Sequence, residues 1–142
     1  MIKSLTVQIN VEIRNLVGSE NILIFGMKAE EVMVHEKRGD YSAAAVCAAD
    51  PRLALMTSQL TDGFFSQAGY SFSGISDALL KYNDQYFVLQ DFDAYVKTWT
   101  RAGELYRDKK RWGAVSLTNT AMSGHFSSDR TIAEYASDIW HI

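Results

Sequence analysis

The chain contains a single cysteine and no long apolar run. Because a disulfide needs two thiols, Cys47 cannot form one within the chain. No apolar stretch approaches the roughly 20 residues that a membrane span requires, and residues 1–9 lack the long apolar core of a signal peptide. We therefore expect a cytoplasmic protein without a membrane partner.

Neither sign of charge dominates. The sequence has 14 lysine and arginine residues against 17 aspartate and glutamate residues, for a formal net charge of −3. Nucleic-acid binding depends mainly on basic residues that neutralise phosphates, so we expect no nucleic-acid partner. With 142 residues, of which 47% are hydrophobic, the chain is long enough for one domain with a single core.

Breaks are also scarce, because proline occurs once and glycine nine times. Most of the chain is therefore predicted to be helical. Asp50 and Pro51 form a strong helix start, with the aspartate as N-cap and the proline at the first helical position. The other predicted helices cover residues 11–17, 29–38, the alanine-rich run 43–49, the region of Ile75 to Leu80, the stretch from Asp91 to Tyr106, the region that follows Trp112, and a last helix to Trp140. The last helix starts at Ser127 or Ser128, or at Thr131, which has capping-box spacing to Glu134.

One to three short strands interrupt this helical pattern. Residues 22–25 form a continuous apolar run before Gly26, which is typical of a strand buried on both faces in a parallel sheet. Strand, glycine and helix together make half of a βαβ unit. Residues 86–89 predict a second short strand, and residues 5–9 a strand or a frayed arm.

Two helices carry apolar side chains at three- and four-residue steps, and such side chains share one face. In the final helix we expect this face to be a buried stripe. The two sets are Phe92, Tyr95, Val96, Trp99 and Tyr106 in one helix, and Ile132, Tyr135, Ala136, Ile139 and Trp140 in the other.

The polar residues do not combine into a catalytic or metal site. His35, His125 and His141 are far apart, and His35 lacks the second histidine of a His-Glu-x-x-His zinc motif. We therefore expect solvated or capping histidines. Ser127 and Ser128 lack the glycine-rich elbow of a nucleophilic serine and are expected to cap a helix.

Three further features have a structural and a functional interpretation. Cys47 has no activating charge beside it and is expected to be buried and inert rather than nucleophilic. The basic cluster at 109–111 is expected to be solvated rather than to bind phosphate. Stacking on sugar rings is the alternative to a core role for the aromatic residues Trp99, Tyr106 and Trp112.

Residues 123–130 read Ser-Gly-His-Phe-Ser-Ser-Asp-Arg, which is the most specific of several distinctive blocks along the chain. These blocks resemble the carboxyl-terminal part of α-glucan (glycogen or maltodextrin) phosphorylases. The match runs from about Asn10 to Ile142, and residues 1–9, Gly113, Ala114 and Thr120 depart from the family pattern. The other matching blocks lie at 10–13, 20–26, 29–32, 63–66, 91–96 and 105–108, together with the spacing from Trp112 to Asn119.

The resemblance implies an α/β fold. Members of the family have two Rossmann-like lobes with the active site between them. Residues 1–142 are then a single partial domain from the end of the second lobe, with residues 1–9 as an atypical arm. This piece itself is expected to be mostly α-helical.

The resemblance also implies an activity that this piece should not perform alone. The family uses pyridoxal phosphate to cleave α-1,4-glucans with phosphate, which releases glucose 1-phosphate. Its cofactor lysine lies in a Gly-Thr-Gly-Asn-Met-Lys motif before the block that matches residues 10–13, so this chain is expected to lack it. Lys28 also follows a methionine, but its context differs.

We accordingly assign no catalytic, cofactor-binding or metal-binding residue, and we do not expect pyridoxal phosphate to bind this chain. The resemblance implies a scaffolding role beside an upstream phosphorylase fragment, and glucan and phosphate as partners only in the full enzyme. The alternative is a non-catalytic helical module that self-associates into a homo-oligomer, because helices without their usual neighbours expose apolar surface.

Overall fold

A computed structural model describes the backbone of residues 2–65 and 69–142 and the side chains from Asn10 onward within those ranges. The described residues are mostly helical, as the sequence predicts. A π-helical segment, Asp77–Lys81, extends α5, the 3₁₀ segment Ser123–Phe126 extends α7, and the π-helical segment Ala136–Trp140 extends α8. The α-helices are α1 (Ile2–Val17), α2 (Ala29–Arg38), α3 (Ala43–Ala49), α4 (Pro51–Gln59), α5 (Ser73–Ser76), α6 (Phe92–Arg107), α7 (Lys109–Met122) and α8 (Ser128–Tyr135).

The chain divides into two compact units. Unit 1 contains the residues up to Ile24 together with Thr98–Ile142, and unit 2 contains Phe25–Lys97. The boundary falls within α6. The single partial domain expected over residues 1–142 stays a prediction.

Local capping signals predicted the helix ends well. The carboxylate of Asp50 accepts a hydrogen bond from the Arg52 N–H at 2.9 Å, and Pro51 begins α4. Ser127 is the N-cap of α8, where its hydroxyl accepts from the Arg130 N–H at 3.3 Å. Gly39 ends α2 with φ of 60°, a left-handed conformation that glycine adopts at low cost.

The predicted strands are not formed in this structure. Residues 22–25 are irregular, and residues 86–89 lie in a series of turns. A strand is stable only when a neighbouring strand pairs with its backbone, and no strand occurs in the described ranges.

The amino-terminal segment also departs from expectation. Residues 5–9 belong to α1 rather than to a strand or an arm. A helix satisfies its backbone hydrogen bonds internally, whereas a strand at this place needs a partner. Residues 66–68 lie outside the described residues, and α5 begins at Ser73.

The core of unit 2 is small and built around α3 and α4. Ala43, Cys47, Leu53 and Leu89 are buried together. The Cys47 thiol lies 3.2 Å from the hydroxyl of the buried Thr57. Cys47 is therefore a buried core residue, as expected. Partly buried side chains that pack against this core are Tyr41, Val46, Leu79, Leu80 and Phe92.

In unit 1, a polar contact links α7 to the residues that follow α1. The side-chain amide of Asn119 donates to the carbonyl oxygens of Asn21 at 2.8 Å and Val115 at 2.9 Å. Val17, at the end of α1, is buried. This asparagine thus stabilises the carboxyl-terminal end of α1 against α7.

The buried stripe predicted for the last helix is wrong for this chain, because most of it faces solvent. Trp140 is 56% exposed, and Ile132, Tyr135 and Ile139 are exposed as well. The apolar face predicted on α6 is also partly exposed, since Trp99 is 68% exposed. Helical periodicity identifies which residues share a face, but a neighbouring element must be present to bury that face.

The accessible surface shows how much remains uncovered. The chain exposes 10706 Å². A folded monomer of its mass of 15.9 kDa exposes about 7,400 Å², and two separate units of half that mass about 8,900 Å² together. The exposed area therefore exceeds what either arrangement of fully closed domains accounts for.

Two glycines should respond to alanine in opposite directions. A Cβ at Gly113, inside α7, would meet no atom within 4 Å. Gly113→Ala should raise the free energy of unfolding by about 0.5–1 kcal/mol, because alanine loses less backbone entropy in a helix. Chemical denaturation monitored by circular dichroism measures the change, and a destabilised variant would contradict it.

The matched substitution lies at Gly26. Its φ is +90°, and a Cβ there would lie 2.5 Å from the Asp91 carboxylate. Gly26→Ala should lower the free energy of unfolding by about 1–3 kcal/mol, because both the backbone and the neighbouring carboxylate must move. The same denaturation measurement on both variants tests whether the position of the glycine determines the sign of the change in the free energy of unfolding.

Candidate functional site

The described part of unit 2 contains a buried polar cluster centred on Asp84. Asp84 is only 2% exposed. Its Oδ2 accepts from the Tyr41 hydroxyl at 2.9 Å and from the Leu89 N–H at 2.8 Å. Buried carboxylates mark functional sites often enough to make this cluster the first candidate.

The preceding residue, Asn83, extends the same network. Its Oδ1 accepts from the Ala43 N–H at 2.8 Å, and its Nδ2 donates to the Tyr41 carbonyl at 3.0 Å. Asn83 and Asp84 both have positive φ, which asparagine and aspartate tolerate better than most residues. The pair therefore connects the turn after α5 to the start of α3.

These contacts point inward and leave little for a substrate. Asp84 is enclosed, and its partners are a phenol and a backbone amide that a ligand would have to displace. Burial is the main cause that raises the pKa of Tyr41 above its ordinary value, and the hydrogen bond with Asp84 adds to it. Tyr41 therefore remains a protonated donor, and the cluster stabilises the fold.

A second, exposed cluster joins the beginnings of α4 and α6. The guanidinium of Arg52 lies 2.5 Å from both Asp50 and Asp93 and 4.8 Å from the centre of the Phe92 ring. The hydrogen bond from Arg52 lowers the pKa of Asp50 to about 2. Exposed ion pairs contribute little to stability, so this cluster mainly orients the two helix starts.

Near α2, Asp91 organises the turn around Gly26. Its Oδ1 accepts from the Met27 N–H at 2.8 Å. Lys28 follows, with an exposed side chain, and its N–H donates to the Glu31 carboxylate at 2.7 Å. Lys28 therefore occupies an ordinary helix start.

This position does not fit pyridoxal phosphate. A cofactor amine must lie in an enclosed site whose polar groups hold and tune the cofactor. Lys28 is exposed instead. We derive no step of a reaction through that cofactor at this residue.

The structure does not bring the three histidines together as one site. His35 lies 2.7 Å from Asp40, and this hydrogen bond is the main cause that lowers the pKa of Asp40. The His125 carbonyl accepts from the Arg130 side chain, and the His141 ring lies 2.9 Å from the Ser137 carbonyl. No set of three metal-ligating side chains occurs within residues 10–65 and 69–142.

The aromatic candidates in unit 1 form a local contact. The Lys109 amine lies 3.3 Å from the centre of the Tyr106 ring, which meets Trp112 edge-on at 5.2 Å between centroids. The lysine occupies one face of Tyr106, so that face is not open for a sugar ring. Lys110 and Arg111 are exposed, as a solvated cluster would be.

Sequence reasoning missed Asn83 and Asp84. The available signal was the Asn-Asp pair itself, because both residues favour turns and tolerate left-handed backbone. Nothing in the local pattern indicated that the carboxylate would be buried, since Tyr41, whose hydroxyl donates to it, lies 43 positions away in the chain. The surveyed helices include none long and apolar enough to cross a bilayer.

Removing the hydroxyl group of Tyr41 should destabilise unit 2. In Tyr41→Phe the buried Asp84 loses one of its donors, which should cost about 1–3 kcal/mol. Tyr82→Phe, at an exposed tyrosine, is the matched control and should change little. Urea denaturation measures both variants, and equal effects would argue against the buried hydrogen bond as the cause.

The same tyrosine predicts a loss of stability at alkaline pH. Because the folded-state pKa of Tyr41 is raised above its ordinary 10.0, its contribution is fully present below about pH 10. It is lost as the pH rises further, since the unfolded chain releases this proton first. The free energy of unfolding of Tyr41→Phe should therefore fall less than that of the original chain between pH 9 and 11.

Comparison with known proteins identifies a family for this chain. The carbohydrate phosphorylase family matches residues 6–142. Glycogen phosphorylase of Bacillus subtilis (strain 168) is 44% identical over 133 residues, which are 94% of this chain and 17% of that protein. The liver form of glycogen phosphorylase from Ovis aries is 42% identical, and glycogen phosphorylase of Chlamydia pneumoniae is 34% identical. Each match covers 94% of this chain and 16% of the relative.

The chain thus spans about one sixth of the length of these relatives. The resemblance to the carboxyl-terminal part of phosphorylases, which rested on the block at 123–130 and the other matching blocks, is confirmed. The chain belongs to the carbohydrate phosphorylase family and corresponds to its carboxyl-terminal part.

Proposed function

We propose that these residues form the carboxyl-terminal portion of a pyridoxal-phosphate-dependent α-1,4-glucan phosphorylase and serve it as scaffold. The observation that carries the proposal is the family match over residues 6–142, at up to 44% identity to a glycogen phosphorylase among the relatives compared. In the assembled enzyme they complete an α/β lobe, in the cytoplasm. Glucan, phosphate and cofactor bind to the rest of that enzyme.

The surface of the chain supports a scaffolding role. Apolar side chains on α8 and α6, such as Ile132 and Trp99, lie at helical spacing yet face solvent. Apolar side chains that share one exposed helix face mark a contact with another protein surface. The remaining five sixths of a phosphorylase is the natural source of that surface.

The polar groups support inactivity of the chain alone. Asp84 is buried and occupied by structural partners, and Lys28 is exposed at a helix start. The carboxylates of Asp50 and Asp93 share the Arg52 guanidinium. None of these described groups combines enclosure with an available acid, base or amine, which phosphorolysis requires.

Self-association is the second candidate function. The exposed area exceeds that of two closed units by about 1,800 Å², which is about twice the roughly 800 Å² that each partner buries in a standard protein–protein interface. A homo-oligomer would cover this surface without any upstream fragment. Analytical sedimentation of the purified chain measures its oligomeric state and distinguishes the two candidates. An oligomer favours self-association, because the scaffold requires only a monomer that binds its upstream partner.

Complementation of a truncated phosphorylase tests the main proposal. The partner is Bacillus subtilis glycogen phosphorylase without the 133 residues that match this chain. With pyridoxal phosphate and maltodextrin, we expect glucose 1-phosphate release only when this chain is added, and none from the chain alone. The truncated relative's own 133-residue piece, supplied separately, is the positive control.

Two results would contradict the proposal. Activity of the chain alone would show that it holds a complete active site. Failure of this chain to restore activity that the control piece does restore would show that it is not a working phosphorylase portion.

A further inference from the structure

A cavity of about 260 Å³ lies in unit 2, between the end of α4 and the start of α5. It shares no residue with the polar clusters around Asp84, Arg52 and Asp91. Ligand pockets begin at roughly 300 Å³, so this cavity suits a small ligand or a short segment of a longer one. Its described lining includes the aromatic side chains Phe65, Tyr70 and Phe72.

The aromatic side chains of the cavity offer flat apolar surface to a ligand. Tyr70 is 69% exposed and Phe65 45%. Phe65 meets Phe72 edge-on at 5.8 Å between ring centroids, and it meets Phe64 edge-on at 4.9 Å. Because an edge contact covers one face of only one ring, other ring faces remain available. Exposed apolar surface with polar residues around it is typical of a ligand-binding groove.

The described polar groups of the cavity are uncharged. Gln59, Thr61 and Ser71 supply an amide and two hydroxyl groups, and none of the described lining residues has a charged side chain. The Ser71 hydroxyl lies 3.0 Å from that of Ser73. No other described residue hydrogen-bonds the Gln59 amide or the Tyr70 hydroxyl. These two groups therefore keep donors and acceptors for a ligand.

We propose that this cavity is a binding site for a neutral oligosaccharide, namely a short segment of α-1,4-glucan. A pyranose ring has an apolar face of C–H groups, which stacks on an aromatic ring, and a rim of hydroxyl groups, which suits amide and hydroxyl side chains. Phosphorylated sugars and nucleotides fit less well, because no cation lines the described cavity. In the assembled enzyme this site would hold glucan in addition to the contacts that the other part makes.

The inclination of the aromatic rings favours an α-linked chain. The planes of Phe65 and Phe72 are inclined at 71° to each other. An α-1,4 chain is curved, so its successive rings present differently inclined faces, whereas a β-1,4 chain is a flat ribbon that suits coplanar rings. This geometry agrees with the substrate of the proposed function, on which the choice of glucan also rests.

Titration of the whole chain with maltohexaose, followed by NMR, tests the proposal. In ¹H–¹⁵N spectra the amides of residues 59–65 and 69–73 should shift and then saturate as the sugar is added, because these residues surround the cavity. Cellopentaose, which has β-1,4 linkages, is the linkage control. It should bind about tenfold more weakly, which corresponds to the loss of one good stacking contact.

Substitution of Tyr70 tests the stacking contact. Tyr70→Ala removes the most exposed aromatic ring of the described lining and should weaken maltohexaose binding by about tenfold. The melting temperature should stay unchanged, because the side chain is largely in solvent. Tyr70→Phe keeps the ring and should retain most of the affinity. Tyr82→Ala, at an exposed tyrosine of unit 2 that does not line the cavity, is the matched control and should bind like the original chain.

The outcomes separate this site from the proposed function, which the complementation experiment tests independently. A titration without saturable shifts at 59–65 and 69–73, or full binding by Tyr70→Ala, would overturn the sugar site while complementation could still succeed. Equal binding of cellopentaose would overturn the choice of an α-linked glucan. Saturable binding of maltohexaose together with failed complementation would retain the site and overturn the proposed function.

Discussion

The shortage of buried apolar area is the constraint on which the rest of this structure depends. Few large side chains leave water, and the buried apolar residues described in unit 2 are Ala43, Cys47, Leu53, Phe87 and Leu89. Folding must offset roughly 1–2 kcal/mol of backbone entropy for each ordered residue, mainly through apolar burial. Polar contacts therefore do an unusual share of the positioning within each unit.

In unit 2 that positioning depends on two adjacent residues. Asn83 and Asp84 together bind the backbone of Ala43 and Leu89 and the side chain of Tyr41. Because their donors and acceptors are matched and Asp84 itself is buried, these hydrogen bonds fix one arrangement of α3 against the turns after α5. A purely apolar contact of the same size would restrict the geometry less, since dispersion has little directionality.

Features that depend on neighbouring residues were predictable from sequence, and features that depend on distant ones were not. The helix starts at Pro51 and Ser128 and the end of α2 at Gly39 follow from caps within a few residues. The strand predicted at 22–25 requires a sheet, and the burial predicted for Trp140 requires a covering surface. The buried role of Asp84 likewise depends on Tyr41, which lies 43 positions away.

The departures from the family pattern become intelligible on the same basis. Thr120, where the resemblance to the family implies isoleucine, is exposed, and its hydroxyl is satisfied because it donates to the Ser116 carbonyl at 2.9 Å. Gly113 is surrounded by open space within 4 Å. In the free chain both residues therefore cost little beyond helix propensity. If the exposed face of α7 became buried against an upstream lobe, the same threonine would remove apolar contact area, and the interface would weaken through the transfer term for the lost methyl groups.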